Sequence, residues 1–288
     1  MAPSTRFRIR EVKEFFSFGA FQLASRLVNR AGSNIDMILI GRFLGAEALG
    51  IYSLAYQIVT IPVLKINPIV TRVAFPVFAK SQRDHSRLRE GFLSMTNMLA
   101  LISFPLLIGL AAVSDSFIEV VFGEKWLVAV PVLNILCIVG LLRVLMNPNG
   151  SILLAKGRAD LAFYWDTGML IVYGCALYAG VHTGSLLTVA WVYSGVSLLN
   201  FIVGRWLMAY VIQLDMKMYI KSLVKPAVMT LLMAGCAVAV HQGMKLTSAD
   251  ILLQLLLTIC LSAALYSLLL VKMYPQVTGK LWRRGRSS

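Results

Sequence analysis

The sequence predicts an all-α polytopic membrane protein with eight transmembrane helices and both termini on the cytoplasmic side. Three observations carry that expectation. The chain is 58% hydrophobic and only 14% charged, whereas a soluble domain carries about 25% charged residues. Its apolar residues gather into runs of roughly 20, the length that crosses the hydrocarbon core of a bilayer. Its lysines and arginines fall mostly in short clusters between those runs, as topology signals do.

The expected spans are residues 15–40, 47–78, 91–114, 126–145, 161–180, 185–210, 226–240 (reaching about 244) and 251–271. The first ends at the Gly41-Arg42-Phe43-Leu44-Gly45 break. Pro62 and Pro68 interrupt the second, which predicts a bent or discontinuous helix whose freed carbonyls are satisfied by neighbours or water. Residues 80–90 form a hydrophilic loop and residues 115–125 another. Asn147-Pro148-Asn149-Gly150 is a turn-rich connection that closes the fourth span and leads to Lys156-Gly157-Arg158.

Cation counting orients the chain. With the N-terminus in the cytoplasm, 18 of the 27 Lys and Arg lie in cytoplasmic segments, and only Arg42, Lys125 and Lys245 lie in the opposite loops. Cytoplasmic enrichment of this kind is what sets orientation in polytopic proteins. The basic segment at residues 1–14 precedes an apolar run too long and too studded with polar groups for a signal-peptide core, so the first span is expected to stay in the protein.

The first span carries the most distinctive pattern. At about 100° per residue, Gln22, Arg26, Asn29, Arg30, Ser33, Asn34 and Asp36 fall within an arc of about 160°. Phe21, Ala24, Leu27, Val28, Ile35 and Ile38 take the other side. Each arginine turned to lipid at that depth costs at least ~2.5–3.5 kcal/mol, so the polar side is expected to line a water-filled cavity or meet partner helices. Lys65 and Arg72 are seven residues apart on the second span and would share a face of a continuous helix. Arg72, Arg143 and Arg205 fall near the expected cytoplasmic ends of their spans and can snorkel to headgroups.

Within the spans, six cations (Arg26, Arg30, Lys65, Arg72, Arg143, Arg205) face two clear acids, Asp36 and Asp166. That balance suits an anion. Guanidinium forks grip phosphate through two bonds, and a lysine adds a point charge. Arg26, Arg30, Lys65 and Arg72 are therefore the candidate anion-binding residues. Asn29 and Asn34 are placed to bond sugar hydroxyls or to solvate the arginines. Asp36, and after it Asp166, are candidates for ion coupling or for tuning an arginine; the plainer alternative is that each neutralises an arginine and locks helices together.

Other classes of function find little support. A net charge of +14 also suits a nucleic-acid binder, but the cations sit where membrane topology puts them. The acids outside the spans are scattered, so neither a catalytic carboxylate pair nor a histidine cluster stands near a water interface. No catalytic residue is assigned. His85, His182 and His241 form no cluster, and Cys137, Cys175, Cys236 and Cys260 lie far apart in apolar runs, where buried small hydrophobes are expected rather than a metal site or disulfides. There is no phosphate-binding loop lysine motif, so ATP is not expected as the direct energy source.

Residues 34–52 (Asn-Ile-Asp-Met-Ile-Leu-Ile-Gly-Arg-Phe-Leu-Gly-Ala-Glu-Ala-Leu-Gly-Ile-Tyr) resemble the polysaccharide-exporter branch of the MOP superfamily, the Wzx-type O-antigen and colanic-acid flippases. The resemblance continues through residues 66–76 (Ile-Asn-Pro-Ile-Val-Thr-Arg-Val-Ala-Phe-Pro). It recurs at Phe122-Gly123-Glu124-Lys125-Trp126 and at Leu154-Ala155-Lys156-Gly157-Arg158-Ala159-Asp160. It extends to about Met216, beyond which hydropathy alone supports it.

The resemblance implies two six-helix lobes around a cationic cavity, often followed by an extra helix pair. Such a protein turns a lipid-linked oligosaccharide, an undecaprenyl-pyrophosphate repeat unit, across the bacterial inner membrane by alternating access. No cofactor is implied; a proton or sodium gradient is the suspected drive. On that pattern residues 1–14 are a basic cytoplasmic segment. Residues 15–212 are one MOP-type lobe, the second of the two, and residues 213–288 are the extra helix pair with a basic tail. The chain is then the C-terminal half of such a transporter, either a truncated or split version or one whose other six-helix lobe comes from another chain. The implied partners are the lipid-linked oligosaccharide, membrane lipids and that second lobe, with no nucleic acid. A MATE-like multidrug or lipid exporter, or a non-transporting membrane fragment or scaffold, remain the alternatives.

Overall fold

Inside a bilayer a helix satisfies its own backbone, so apolar runs parted by caps, glycines and polar loops fold as helices. The structure is a computed structural model that describes residues 9–80, 84–245 and 250–275. The described chain begins with α1 (Ile9–Gly32), α2 (Ile35–Phe43) and α3 (Gly45–Lys80), then α4 (His85–Ala112) and α5 (Ser114–Phe122). A 3-10 turn (Glu124–Ala129) leads into α6 (Val130–Ala155), followed by α7 (Ala159–Val181), α8 (Leu186–Ile212), α9 (Met216–Lys245) and α10 (Ile251–Met273). No strand occurs among the described residues.

Helix α6 is the hub. Its apolar side chains Leu133, Leu136, Val139, Val144 and Ile152 are buried, and α3, α4 and α8 pack around it. Gly140 permits close approach of two of them: a Cβ there would lie 2.7 Å from Cγ1 of Val59 on α3 and 3.1 Å from Cδ1 of Leu107 on α4. Helix α7 packs on α8, and α1 rests on α7, with Phe21 set against Phe163 and Tyr164 at ring distances of 5.7 and 6.0 Å.

Helices α9 and α10 attach on the α4 side. Lipid offers no hydrophobic drive for helix association, so close packing and interhelical hydrogen bonds must hold them. Asn97 of α4 donates to the Ser222 carbonyl (2.6 Å) and to the Tyr274 hydroxyl (3.0 Å). Tyr266 of α10 donates to the Leu101 carbonyl at 2.6 Å. At the far end of α9, His241 meets Asp115 at 3.2 Å.

The outer surface is apolar. Tyr210, Trp206 and Leu268 are 77%, 74% and 70% exposed, a pattern that marks an interaction surface in water and is ordinary against lipid. By length and composition, five helices among the described residues are long and apolar enough to cross a membrane: α4, α6 with its leading turn, α8, α9 and α10. The protein is an all-helical, multi-pass membrane protein.

Local chemistry sets the helix ends. The Asp84 carboxylate accepts from the amides of Ser86 (3.0 Å) and Arg87 (3.1 Å) and starts α4. Gly123, at φ +90°, adopts a backbone that side chains resist and turns the chain from α5 into the 3-10 turn.

Several sequence expectations change. Residues 15–40 are not one helix: Ser33 and Asn34 form a turn that separates α1 from α2. Residues 115–125 are mostly helical rather than a loop, and α6 runs ten residues beyond 145, through Pro148, to Ala155. The Asn147–Gly150 segment is thus interior helix, with Pro148 and Asn149 buried. Helix α3 is continuous through Pro62 and Pro68. Of the cysteines, Cys137 is buried but Cys175 and Cys260 are exposed.

Candidate functional site

The turn at Ser33–Asn34 shapes the site. It ends the α1 register, so the polar side chains expected on one continuous face part company. Asp36, in the first turn of α2, rotates into the core and is 2% exposed; its Oδ2 accepts from the Tyr52 hydroxyl of α3 at 2.7 Å. Its Oδ1 has no hydrogen-bond partner. Asn29 and Ser33 line a cleft of about 190 Å³ between α1, α6, α7 and α8. Arg26 and Arg30 lie on the exposed side of α1, beside Leu23 and Leu27.

Polar side chains from each surrounding helix converge on that cleft. Asp166 of α7 accepts a hydrogen bond from Ser25 of α1. Trp165 donates its indole N–H to Asn200 of α8 at 3.1 Å, and the Tyr173 and Ser197 hydroxyls pair at 2.9 Å. From α6 comes Arg143, whose Nη1 donates to the Tyr56 hydroxyl at 2.7 Å. Tyr52 and Tyr56, one turn apart on α3, stack at 6.0 Å with 25° between their planes. Asp36 and Arg143 thus reach the same aromatic pair from opposite ends.

The expected site residues therefore separate in space. Asn29 and Asp166 share the cleft, with Asp36 behind it. Arg26, Arg30 and Asn34 are exposed on α1 and the turn after it, and Lys65 is exposed on α3. The side chain of Arg72 lies outside the described residues.

Arg143 is the cleft residue that sequence reasoning placed at a helix end. It occupies the middle of α6 because the helix continues past Asn147-Pro148, so snorkelling to headgroups is not its role. Arg205 does not snorkel either. It is 4% exposed, donates to Asn149 Oδ1 at 2.5 Å, and is enclosed by the rings of Phe92, Phe201 and Tyr219 at 5.3, 5.1 and 4.8 Å. With the helices at their full lengths, α6 runs 12 residues past Arg143 and α8 seven past Arg205, so depth in the helix is a legible signal for Arg143 but not for Arg205.

A family model described as "Polysaccharide biosynthesis protein" matches residues 1–131. The chain is 64% identical over 286 residues to the teichuronic acid biosynthesis protein TuaB of Bacillus subtilis (strain 168), covering 99% of this chain and 59% of TuaB. It is 37% identical over 230 residues to the lipopolysaccharide biosynthesis protein WzxC of Escherichia coli (strain K12), covering 80% of this chain and 47% of WzxC. The chain is similar, over most of its own length, to these polysaccharide-biosynthesis proteins. The chain also shares its fold with a solved structure of the lipid II flippase MurJ in an inward closed conformation. The TM-score is 0.68 at 14% identity, over 88% of this chain and 53% of MurJ. The chain spans about half the length of the proteins it matches.

Proposed function

We propose that this chain forms one lobe of a flippase that turns an undecaprenyl-pyrophosphate-linked repeat unit across the bacterial inner membrane, in the synthesis of a surface polysaccharide. The observation that carries this reading is the arginine-bearing polar cleft between α1, α6, α7 and α8, set in a bundle whose outside is apolar. A cleft of that kind suits a ligand with a charged, sugar-bearing head and a lipid tail. The names of the relatives, biosynthesis proteins for teichuronic acid and lipopolysaccharide, support the polymer class. The MurJ-like fold supports a lipid-linked substrate.

In this reading the chain crosses the membrane eight times with both termini in the cytoplasm. The five long apolar helices are joined by α3, by α7, and by α1 with α2 as one broken span. Residues 15–212 form the lobe, residues 213–288 the extra pair, and residues 1–14 a basic cytoplasmic lead. A second six-helix lobe closes the cavity against the open side of α1. Arg26 and Arg30, exposed on that side, hold pyrophosphate or acidic sugars, assisted by Asn29, Asn34, Lys65 and Arg72. Asp36 or Asp166 couples the cycle to a proton or sodium gradient. The protein moves its substrate without chemical change and is not an enzyme.

The test is charge reversal. Arg30→Glu in the assembled transporter abolishes surface polysaccharide, measured on whole cells at matched protein levels. Unchanged export by that variant removes the assignment.

A further inference from the structure

We propose that Arg143 seats an oxyanion of the exported headgroup in the cleft, and that Tyr56 is its positioning residue. The proposal deepens the flippase reading and rests on it. Arg143 stands mid-way along α6, which spans Val130–Ala155. At 1.5 Å per residue that is about 18–20 Å from either helix end, beyond the reach of an arginine side chain. The guanidinium carries five N–H donors in a fixed fork. One is fixed by the Tyr56 hydroxyl at 2.7 Å, with the guanidinium carbon 5.7 Å from the ring centre. Its side chain has no ion pair among the described residues; the buried carboxylate of Asp36 is bonded by Tyr52 instead.

Arg205 supplies the contrast within one molecule. It too lies inside the bundle without a carboxylate, but three aromatic rings and Asn149 enclose it. Arg143 is open to the cleft, beside Asn29, Ser33 and Asn200. A cation held at depth, oriented by a neutral hydroxyl and facing polar space, lacks a counter-charge in direct contact, since Asp36 acts on it only across the tyrosine pair. Asp166 lines the same cleft but is bonded to Ser25 on the α1 side, so an anion sits at the α6 wall, away from it. A space of about 190 Å³ admits one phosphate or carboxylate group and its waters, not a whole repeat unit. The recognised chemistry is therefore a single oxyanion, either a phosphate of the lipid carrier or the carboxylate of an acidic sugar.

Trp165 lines the same cleft and supplies a readout independent of transport. The full chain in lipid nanodiscs is titrated with pyrophosphate and, separately, with glucuronate. Binding is followed by tryptophan emission, with Trp165→Phe as the blank, and by calorimetry. Saturable binding of pyrophosphate alone assigns the site to the carrier phosphate, and of glucuronate alone to an acidic sugar. In either case Arg143→Gln weakens binding about tenfold or more, Arg143→Lys less, and Tyr56→Phe about threefold. Thermal unfolding identifies the variants that remain folded. Binding unchanged in folded Arg143→Gln, or the absence of saturable binding of both probes, overturns the proposal. If Arg143→Gln also exports normally while Arg30→Glu abolishes export, the flippase reading stands and this inference falls.

Discussion

Asp36 and Arg143 approach opposite ends of one stacked tyrosine pair, the carboxylate through Tyr52 and the guanidinium through Tyr56, both at 2.7 Å. Opposite charges in a low-dielectric interior usually meet directly; here two neutral hydroxyls stand between them. Tyr52→Phe leaves both oxygens of a buried carboxylate without a donor and lowers stability by about 1–2 kcal/mol. Adding Asp36→Leu recovers most of that loss, because the orphaned charge is gone. Thermal unfolding of the two variants and the wild type in detergent measures the coupling, and strictly additive effects would show that the pair does not act as a unit.

Gly140 sets the spacing of the bundle one turn before Arg143. Gly140→Val drives a branched side chain into Val59 and Leu107 and costs about 1–3 kcal/mol. Gly50, with open space around its missing side chain, is the control. Gly50→Ala leaves stability unchanged or slightly raised, since alanine favours a helix interior.

Arg205→Lys removes a planar cation from between three rings while keeping its charge. Stability falls by about 1 kcal/mol, and the affinity for pyrophosphate or glucuronate is unchanged, because the residue does not open to the cleft. A loss of oxyanion binding in this variant would contradict that division of roles.

Asn97 ties both helices of the extra pair to α4. Asn97→Ala deletes two interhelical bonds worth about 0.6 kcal/mol each on average. The expected result is faster hydrogen exchange in α10 and the adjoining part of α9, with α6 and α8 unaffected.

At the α6–α7 connection, Arg158 bonds Asp160 at 3.0 Å and holds its carboxyl below the usual carboxylate value. A depressed carboxyl contributes stability above its unfolded pKa and loses it as pH falls through the folded one. Asp160→Asn therefore costs most at neutral pH, and the deficit shrinks steadily below about pH 4. The pair is exposed, so the deficit is no more than about 0.5 kcal/mol. Unfolding midpoints of both proteins between pH 7 and pH 3 check it.

The helices were legible because apolar runs of bilayer length have few alternatives. Starts such as Asp84 before α4 and Ser185 before α8 carry ordinary capping chemistry. What escaped was where helices continue or break against local signals. Asn147-Pro148-Asn149-Gly150 has the composition of a turn, yet packing on α8 carries the helix through it: Asn149 accepts from Arg205, and a Cβ on Gly204 would lie 3.0 Å from its amide nitrogen. Ser33–Asn34 sits in an amphipathic pattern without proline, yet the helix breaks there. Both errors bear on the cleft, because one hid the depth of Arg143 and the other assigned Asp36 to the wrong face. The polar character of α1 was readable; the partition of its side chains between cleft, core and surface depended on the break.

Helix α1 leans on α7, fastened by Ser25 to Asp166 and by Phe21 to two rings, and the turn after Gly32 frees it from the stiffness of α2. It is braced on α7 along one edge and ends at that turn. Through Asn29 and Ser33 it supplies one wall of the crevice that Arg143 faces, so the placement of that wall rests on the α1–α7 seam.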